Sequence, residues 1–349
     1  MPRNAFILGG TGQIGRAIAS KLLASGWDVS IASRGLRPLS QDRAKRRAKL
    51  VMLDRERPDG LARALGDGAD ALIDVTAYGL EHGYQLLEVQ GSIGALVVIS
   101  SSSVYCDDAG RTLDEAAQNG FPQFAGPIHE SQQTVAPGDA TYSTRKVALE
   151  NLLLDKGTSP VTILRPAAIH GPGSTHPREW WFVKRILDGR LRIPLAYNGE
   201  SRFHTSSVFN IAELTRIALE QPQTRILNIA DPEALKVVSI GSSIARHMGY
   251  TGELVQVSDS AFPARIGRTP WSVPRPFILD NSAALAIGYE PVTTYAQSVG
   301  EICDELAAGE TGSAWRDRFP VLASYPFDLF DYPAKDLFFS MASGADYGW

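Results

Sequence analysis

An apolar run near the start of the chain, Ala5-Phe6-Ile7-Leu8, breaks at Gly9-Gly10-Thr11-Gly12-Gln13-Ile14-Gly15. The segment 13–25 then carries Ile14, Ile18, Leu22 and Leu23 at helical spacing. A strand that runs straight into a helix through glycines at positions 9, 12 and 15 leaves few folds open. Glycine serves three needs there: a tight turn, close backbone approach to a pyrophosphate, and close packing of helix on strand. The helix N-terminus offers unpaired N–H groups and the positive end of its dipole to the phosphates. In first position, directly after a strand, this loop predicts dinucleotide binding.

The alternation continues. Strands are expected at 28–33, 49–53, 71–75, 95–100 and 161–166, with a helix around 142–154. Mostly apolar strands separated by helices imply a parallel sheet covered on both faces. The expected fold is therefore α/β: a Rossmann-type doubly wound parallel sheet over residues 1–170, then a smaller substrate-binding lobe over 171–314, partly interleaved with the sheet. That second part holds a turn-rich HGPGSTHP, a helix opened by Trp180 and Trp181, further helices at 210–221 and 239–248, and a strand at 225–230. The C-terminal tail, 315–349, has ten aromatics in 35 residues. A disordered tail is poor in aromatics, so this one is expected to pack.

Composition narrows the class. With 34 basic against 38 acidic residues, the net charge of −4 speaks against a protein built around nucleic acid. Two cysteines, Cys106 and Cys303, are too few for a disulfide framework or a thiolate metal site and fit a reducing compartment. Six histidines without ligand spacing give no metal signature. No apolar run is long enough to span a membrane, and MPRN leads straight into the first strand with no room for a signal peptide. The expectation is a cytoplasmic protein with a small-molecule substrate, no nucleic-acid or membrane partner, and a homodimer as the commonest symmetric oligomer.

The end of the second strand selects the dinucleotide. An acid there binds the ribose 2′-hydroxyl of NAD, whereas an arginine accommodates the 2′-phosphate of NADP. Ser33-Arg34 occupies the position, with Arg37 beyond, so NADP is expected ahead of NAD. Asp54, after the third strand, is either an acceptor for the adenine amino group or a turn residue. Arg43, Lys45, Arg46, Arg47 and Lys49 read as a solvated face.

Tyr142 and Lys146 stand four apart, on one helix face. A lysine ammonium beside a phenol favours the phenolate, so Tyr142 is expected to have a lowered pKa and to serve as a general acid or base. Ser101, Ser102 and Ser103 end a buried strand, where open α/β sheets bind ligands.

With GGTGQIG, SSSSVY, YSTRK and LRPAAIHGPG in place, the chain resembles the extended short-chain dehydrogenase/reductases of the NAD-dependent epimerase/dehydratase type over roughly residues 4–300. GGTG, SRG after the second strand and LDR after the third also resemble an atypical branch that includes chloroplast RNA-associated relatives. Many members of that branch lack the tyrosine or lysine; this chain keeps both. The resemblance implies Ser101 as the catalytic serine, with Ser102 the reserve candidate for that role and a substrate contact, Tyr142 as proton donor or acceptor, and Lys146 on the ribose. It implies a cofactor site built from Gly9, Thr11, Gly12, Gln13, Ile14, Ser33, Arg34, Asp54, Thr76, Ala77, Tyr142, Lys146, Pro166 and Ile169. Ser33 departs from the acid of NAD-using epimerases, and Thr76-Ala77-Tyr78 from the usual small-residue motif. The substrate is expected near His170, Trp180, Trp181 and Arg202. Hydride transfer between nicotinamide and a carbinol or carbonyl carbon is the implied chemistry, on a sugar-like substrate and as epimerase, dehydratase or reductase. The rival is a dinucleotide-binding sensor or RNA-associated protein without turnover.

Overall fold

Ala5 and Ile7 are buried in one apolar cluster and their neighbours Phe6 and Leu8 in another. Side chains of a strand alternate between faces, so a strand apolar at every position must be covered on both sides. In the computed structural model, which describes residues 2–35, 48–258, 266–309 and 314–344, the central strands follow this rule. The first cluster gathers Ile31, Ile73 and Val97 against helical Ile18, Leu22 and Leu214; the second gathers Leu72, Val98 and Ile163 against Leu86, Leu149 and Leu153.

The chain begins β1 (Asn4–Leu8), α1 (Gln13–Ala24), β2 (Asp28–Ser33), β3 (Lys49–Met52), α2 (Gly60–Leu65), β4 (Ala71–Asp74), α3 (Leu80–Glu88) and β5 (Leu96–Ile99). It continues α4 (Ala116–Asn119), α5 (Tyr142–Lys156), β6 (Val161–Pro166), β7 (Ala168–His170), α6 (Trp180–Leu187), β8 (Arg192–Leu195), β9 (Thr205–Ser207), α7 (Val208–Glu220) and β10 (Arg225–Ile229). Then come α8 (Val237–His247), β11 (Glu253–Gln256), α9 (Ser282–Ala286), α10 (Tyr295–Ala307), α11 (Trp315–Arg318), α12 (Pro320–Ala323) and α13 (Tyr332–Gly344).

Seven strands form one parallel sheet in the order β10-β6-β5-β4-β1-β2-β3. This is the expected Rossmann-type α/β architecture. From β1 the chain winds outward through β2 and β3, then returns to β4 on the other side and continues to β10. The switch lies between β1 and β4, whose pairing ends at Leu8 opposite Asp74. Ligands of such sheets bind outside the strand C-termini at that switch.

The chain divides into two compact units. The first comprises Met1–Ile169, His204–Glu233 and Phe277–Thr294, and contains the whole seven-stranded sheet. The second comprises His170–Phe203, Ala234–Pro276 and Tyr295–Trp349. Within it α6 buries Trp180, Trp181 and Phe182. The tail is drawn into this unit: Trp315 and Phe319 are 3% exposed, and the Phe319 ring lies 5.6 Å from that of Trp180. Arg37 and the basic residues at 43–47 lie outside the described residues, as do Tyr347 and Trp349. Among the described residues no helix is long and apolar enough to cross a membrane.

Candidate active site

The glycine loop is built by close approach. Gly9 adopts φ +77°, its N–H donates to Ala32 O at 3.0 Å, and its own carbonyl accepts from Gly12 N at 2.9 Å. A Cβ on Gly9 would strike the methyl of Thr76, and one on Gly15 would stand 2.5 Å from Gly9 O. The loop is thereby pressed against both β4's end and the first turn of α1. Gly12 caps α1 with no side-chain hydrogen bond, and no acid stands in the first turn. An uncapped helix N-terminus of this kind is able to take a backbone-to-anion contact.

A cleft of about 460 Å³ opens beside this loop, lined in part by Gly9, Thr11, Gly12, Ser33, Arg34, Asp54 and Thr76. All seven are residues the sequence nominates for the cofactor, brought together within the first unit. Ser33 Oγ accepts from Gly35 N at 3.2 Å, and Arg34 is exposed. Asp54 Oδ1 accepts from Glu56 N at 3.3 Å, a turn contact, while the residue lines the cleft. Gln13 and Ile14 open α1. Pro166 ends β6 buried, and Ile169 packs partly buried against the core.

Arg55, Glu56 and His82 line the same cleft, and sequence reasoning missed them. Arg55 Nη1 donates to Asp74 Oδ2 at 2.8 Å and to Thr76 Oγ1 at 3.0 Å. Asp74, at the end of β4, has no exposed surface. The signal was available: a carboxylate closing an otherwise apolar strand needs a cation, and an arginine follows Asp54 just after β3, at the same edge of the sheet.

The second cluster stands at the start of α5, fixed by a reciprocal cap. Thr141 Oγ1 accepts from Thr144 N at 3.2 Å, and Thr144 Oγ1 accepts from Thr141 N at 2.9 Å. This places Tyr142 in the first turn and Lys146 one turn on. Lys146 is buried, and Nζ donates to Ala77 O at 2.6 Å and Ile99 O at 2.9 Å, the backbone just beyond β4 and at the end of β5. Those bonds use two of the three ammonium protons. Ser101 caps the turn after β5: its Oγ accepts from Ser103 N at 3.1 Å and donates to Ser103 Oγ at 2.9 Å. Ser143 Oγ donates to Ser103 Oγ at 2.9 Å, tying that turn to α5. Ser102 is buried within the turn.

The electrostatics correct one expectation. Tyr142 is pushed up to about 12, chiefly by desolvation; a hydrogen bond with Ser101 works the other way, while Tyr78 and Asp114 add to the rise. Lys146 does not lower it. Its ammonium is turned to the strand-end carbonyls, with Nζ 5.6 Å from the Tyr142 ring centroid, and burial brings Lys146 itself down to about 8 against the pull of Asp74 and Glu150. At neutral pH the pair is therefore a phenol and an ammonium.

His170, Trp181 and Arg202 belong to the second unit. His170 is buried with its ring 4.8 Å from that of Tyr295. Trp181 is 1% exposed and its face is covered by Arg185, 3.5 Å from the ring centroid. Arg202 donates to Ala234 O at 2.6 Å and lines a cleft of about 470 Å³ with Tyr197, Ser201 and Arg275.

A sequence model described as the NAD dependent epimerase/dehydratase family matches residues 5–230, well over half of the chain. The chain belongs to that family. Relatives within reach of sequence comparison include the chloroplast stem-loop binding protein of 41 kDa b of Arabidopsis thaliana, 26% identical over 71% of this chain and 64% of the relative. Another is the 2′-dehydrokanamycin reductase of Streptomyces kanamyceticus, 27% identical over 48% of this chain and 44% of the relative. The chain thus spans less than two thirds of the length of either. Among solved structures, dTDP-glucose 4,6-dehydratase from Bacillus anthracis in complex with NAD shares the fold, with a TM-score of 0.66 and 18% identity over 88% of this chain and 97% of that one. As an epimerase/dehydratase-family member the chain joins a glycine cleft to a buried lysine, a tyrosine and a serine on one sheet edge.

Proposed function

We propose that this protein is an NAD(P)-dependent oxidoreductase that transfers hydride between nicotinamide and the carbinol or carbonyl carbon of a small, sugar-like substrate. The observation that carries the reading is the assembly, within one unit, of the glycine cleft with Ser101, Tyr142 and Lys146 at the C-terminal edge of the sheet. The residues fit the dinucleotide: with no Cβ at Gly9 or Gly15 the loop lies tight against the end of β4 and the first turn of α1, which leaves the N-terminus of α1 open to the cleft. The loop from Gly9 through Gln13 and Ile14 would hold the pyrophosphate, and Ser33, Arg34 and Asp54 the adenosine. Thr76 and Ala77 would border the cleft, Lys146 would take the ribose, and Pro166 and Ile169 would line the nicotinamide. The bound dinucleotide supplies or accepts the hydride.

Ser101 then hydrogen-bonds the reacting oxygen of the substrate and Tyr142 moves its proton. With the phenol held protonated, donation to a carbonyl oxygen is the favoured direction. NADP is preferred over NAD, because Ser33 leaves out the acid that would repel a 2′-phosphate and Arg34 lines the cleft. The second unit's own cleft, with Arg202 and Arg275, suits a phosphate or carboxylate. Both cysteines are free and buried, in keeping with a cytoplasmic protein.

The test is Tyr142→Phe, assayed by nicotinamide absorbance against a panel of carbonyl compounds and nucleotide sugars. Turnover is expected to vanish while dinucleotide affinity stays within about threefold, since the hydroxyl moves the proton and is at most one of many contacts to the cofactor. Near-normal turnover in the variant would remove the assigned mechanism.

A further inference from the structure

The backbone that follows β4 is pinned from two sides. Ala77 O accepts from Lys146 Nζ at 2.6 Å, and the next residue, Tyr78, donates its N–H to His82 Nδ1 at 2.9 Å. Because Nδ1 accepts, a proton on the His82 ring sits on Nε2, which faces Glu56 Oε1 at 3.3 Å. Tyr78 itself stays 40% exposed, as does Tyr142, and the two ring centroids lie 5.7 Å apart with planes tilted by 48°. An exposed aromatic ring on backbone held this firmly is preorganised to meet a ligand. Tyr78 also belongs to the triplet in which this chain departs from the small-residue motif of its family, so the ring is a feature of its own.

A second cleft of about 540 Å³ lies in the first unit, lined in part by Tyr78, Leu80, His82, Asp139 and Arg145. His82 lines this cleft and the glycine cleft alike. Arg145 stands three residues after Tyr142 on α5, so the two share a helix face. Its guanidinium carbon lies 5.4 Å from the Tyr78 ring centroid, and Nε donates to Asp139 O at 2.7 Å. That contact is with a backbone carbonyl. Among the described residues Arg145 makes no ion pair, although Glu81 and Asp139 line the same cleft. The guanidinium keeps its two Nη groups, the fork that fits a carboxylate or a phosphate. Tyr142, Tyr78 and Arg145 form a row with steps of 5.7 and 5.4 Å, each the spacing of a stacking contact.

We propose that this row is a substrate subsite that selects a carbonyl or carbinol compound bearing an oxyanion, a carboxylate or a phosphate. The sugar-like ring lies on Tyr78, with its reacting oxygen at Tyr142 and its anionic group on the Arg145 guanidinium. The inference rests on the oxidoreductase reading above and narrows its substrate. Tyr78 offers its face to a ring whether or not the ligand is charged. Arg145 favours the anionic ligand alone, through charge-assisted hydrogen bonds. Glu81 and Asp139 repel a ligand of extended negative charge, so one anionic group fits and a nucleic-acid strand does not.

The test is sugar binding by the full chain saturated with NADP, followed by ligand-observed nuclear magnetic resonance. Three sugars that differ only at C6 serve as probes: D-glucose, D-glucuronate and D-glucose 6-phosphate. The wild type should bind one or both anions at least about tenfold more tightly than glucose, and the better of the two names the group as carboxylate or phosphate. The preference should shrink in high salt. Arg145→Met should remove the preference while the Kd for NADP stays within about threefold, and Tyr78→Ala should weaken all three sugars alike. Equal binding of the three sugars, binding of none, a preference that survives in Arg145→Met, or wild-type affinities in Tyr78→Ala each overturn the inference and leave the dinucleotide reading intact. So does a preference lost in Arg202→Met but kept in Arg145→Met, which places the oxyanion in the second unit's cleft. Wild-type protein that binds no dinucleotide overturns both readings.

Discussion

Gly15→Ala isolates the close packing on which the glycine cleft depends. On helix propensity alone the change should stabilise α1, because alanine is favoured over glycine inside a helix by about 1 kcal/mol. The structure predicts the opposite. The new methyl would stand 2.5 Å from Gly9 O and 2.6 Å from Gly10 Cα, both backbone atoms that cannot rotate away. Relief requires the loop or the helix to shift by about 1 Å, and overpacking of this kind costs about 1–3 kcal/mol. The two effects leave a net loss of about 0–2 kcal/mol in place of the gain that propensity alone would give, readable as a midpoint in urea no higher than wild type's with an unchanged slope. The same shift moves the N-terminus of α1 off the pyrophosphate. Loss of one charge-assisted hydrogen bond, roughly 1.5–3 kcal/mol, raises the Kd for NADPH about tenfold to a hundredfold. A variant that melts higher than wild type and binds NADPH equally well would refute the reasoning.

Ser33→Asp combined with Arg34→Ala should turn a preference of at least about tenfold for NADPH into a preference for NADH, measured by competitive titration. The wild-type preference should weaken in high salt, because Arg34 is exposed. In the second unit, Lys335 is buried beside Arg185 with Nζ donating to Leu329 O at 3.0 Å, and desolvation first, then Arg185, bring it down to about 6. An unfolded lysine titrates near about 10.4, so between these values the unfolded chain binds the extra proton. Stability is then highest above that window and is lost as pH falls through it, by up to about 1.4 kcal/mol per pH unit. Lys335→Met should flatten this slope in melts between pH 6.5 and 9; an unchanged slope would show that Lys335 is not its source.

Much of the fold was legible because the strands are buried on both faces. β1 and β5 lie where their apolar runs, AFIL and LVVI, place them, and α6 coincides with the amphipathic run opened by Trp180 and Trp181. The placement of β10 beside β6 in the sheet was not legible, because parallel pairing over a long separation leaves no local pattern. Within the site, residues chosen by chemical type and by strand or helix end were brought together: Gly9, Thr11, Ser33, Arg34 and Asp54 share a cleft, and Lys146 reaches the end of β5. The direction of the Tyr142 shift was misread. Sequence spacing puts a lysine on the same helix face, but it cannot show that the ammonium turns to Ala77 O and Ile99 O and leaves the phenol to other neighbours. Arg55 and Asp74 were missed because the search for periodicity follows apolar residues, and a buried ion pair sits at its interruptions.

The central claim is that the glycine cleft binds a nicotinamide dinucleotide with its adenosine at Ser33 and Arg34. Isothermal titration of the purified chain with NADPH and then NADH tests it most directly. The account predicts saturable binding at one site per chain, with NADPH at least about tenfold tighter. No heat of binding from either dinucleotide would contradict it, and tighter binding of NADH would place Arg34 outside the contact.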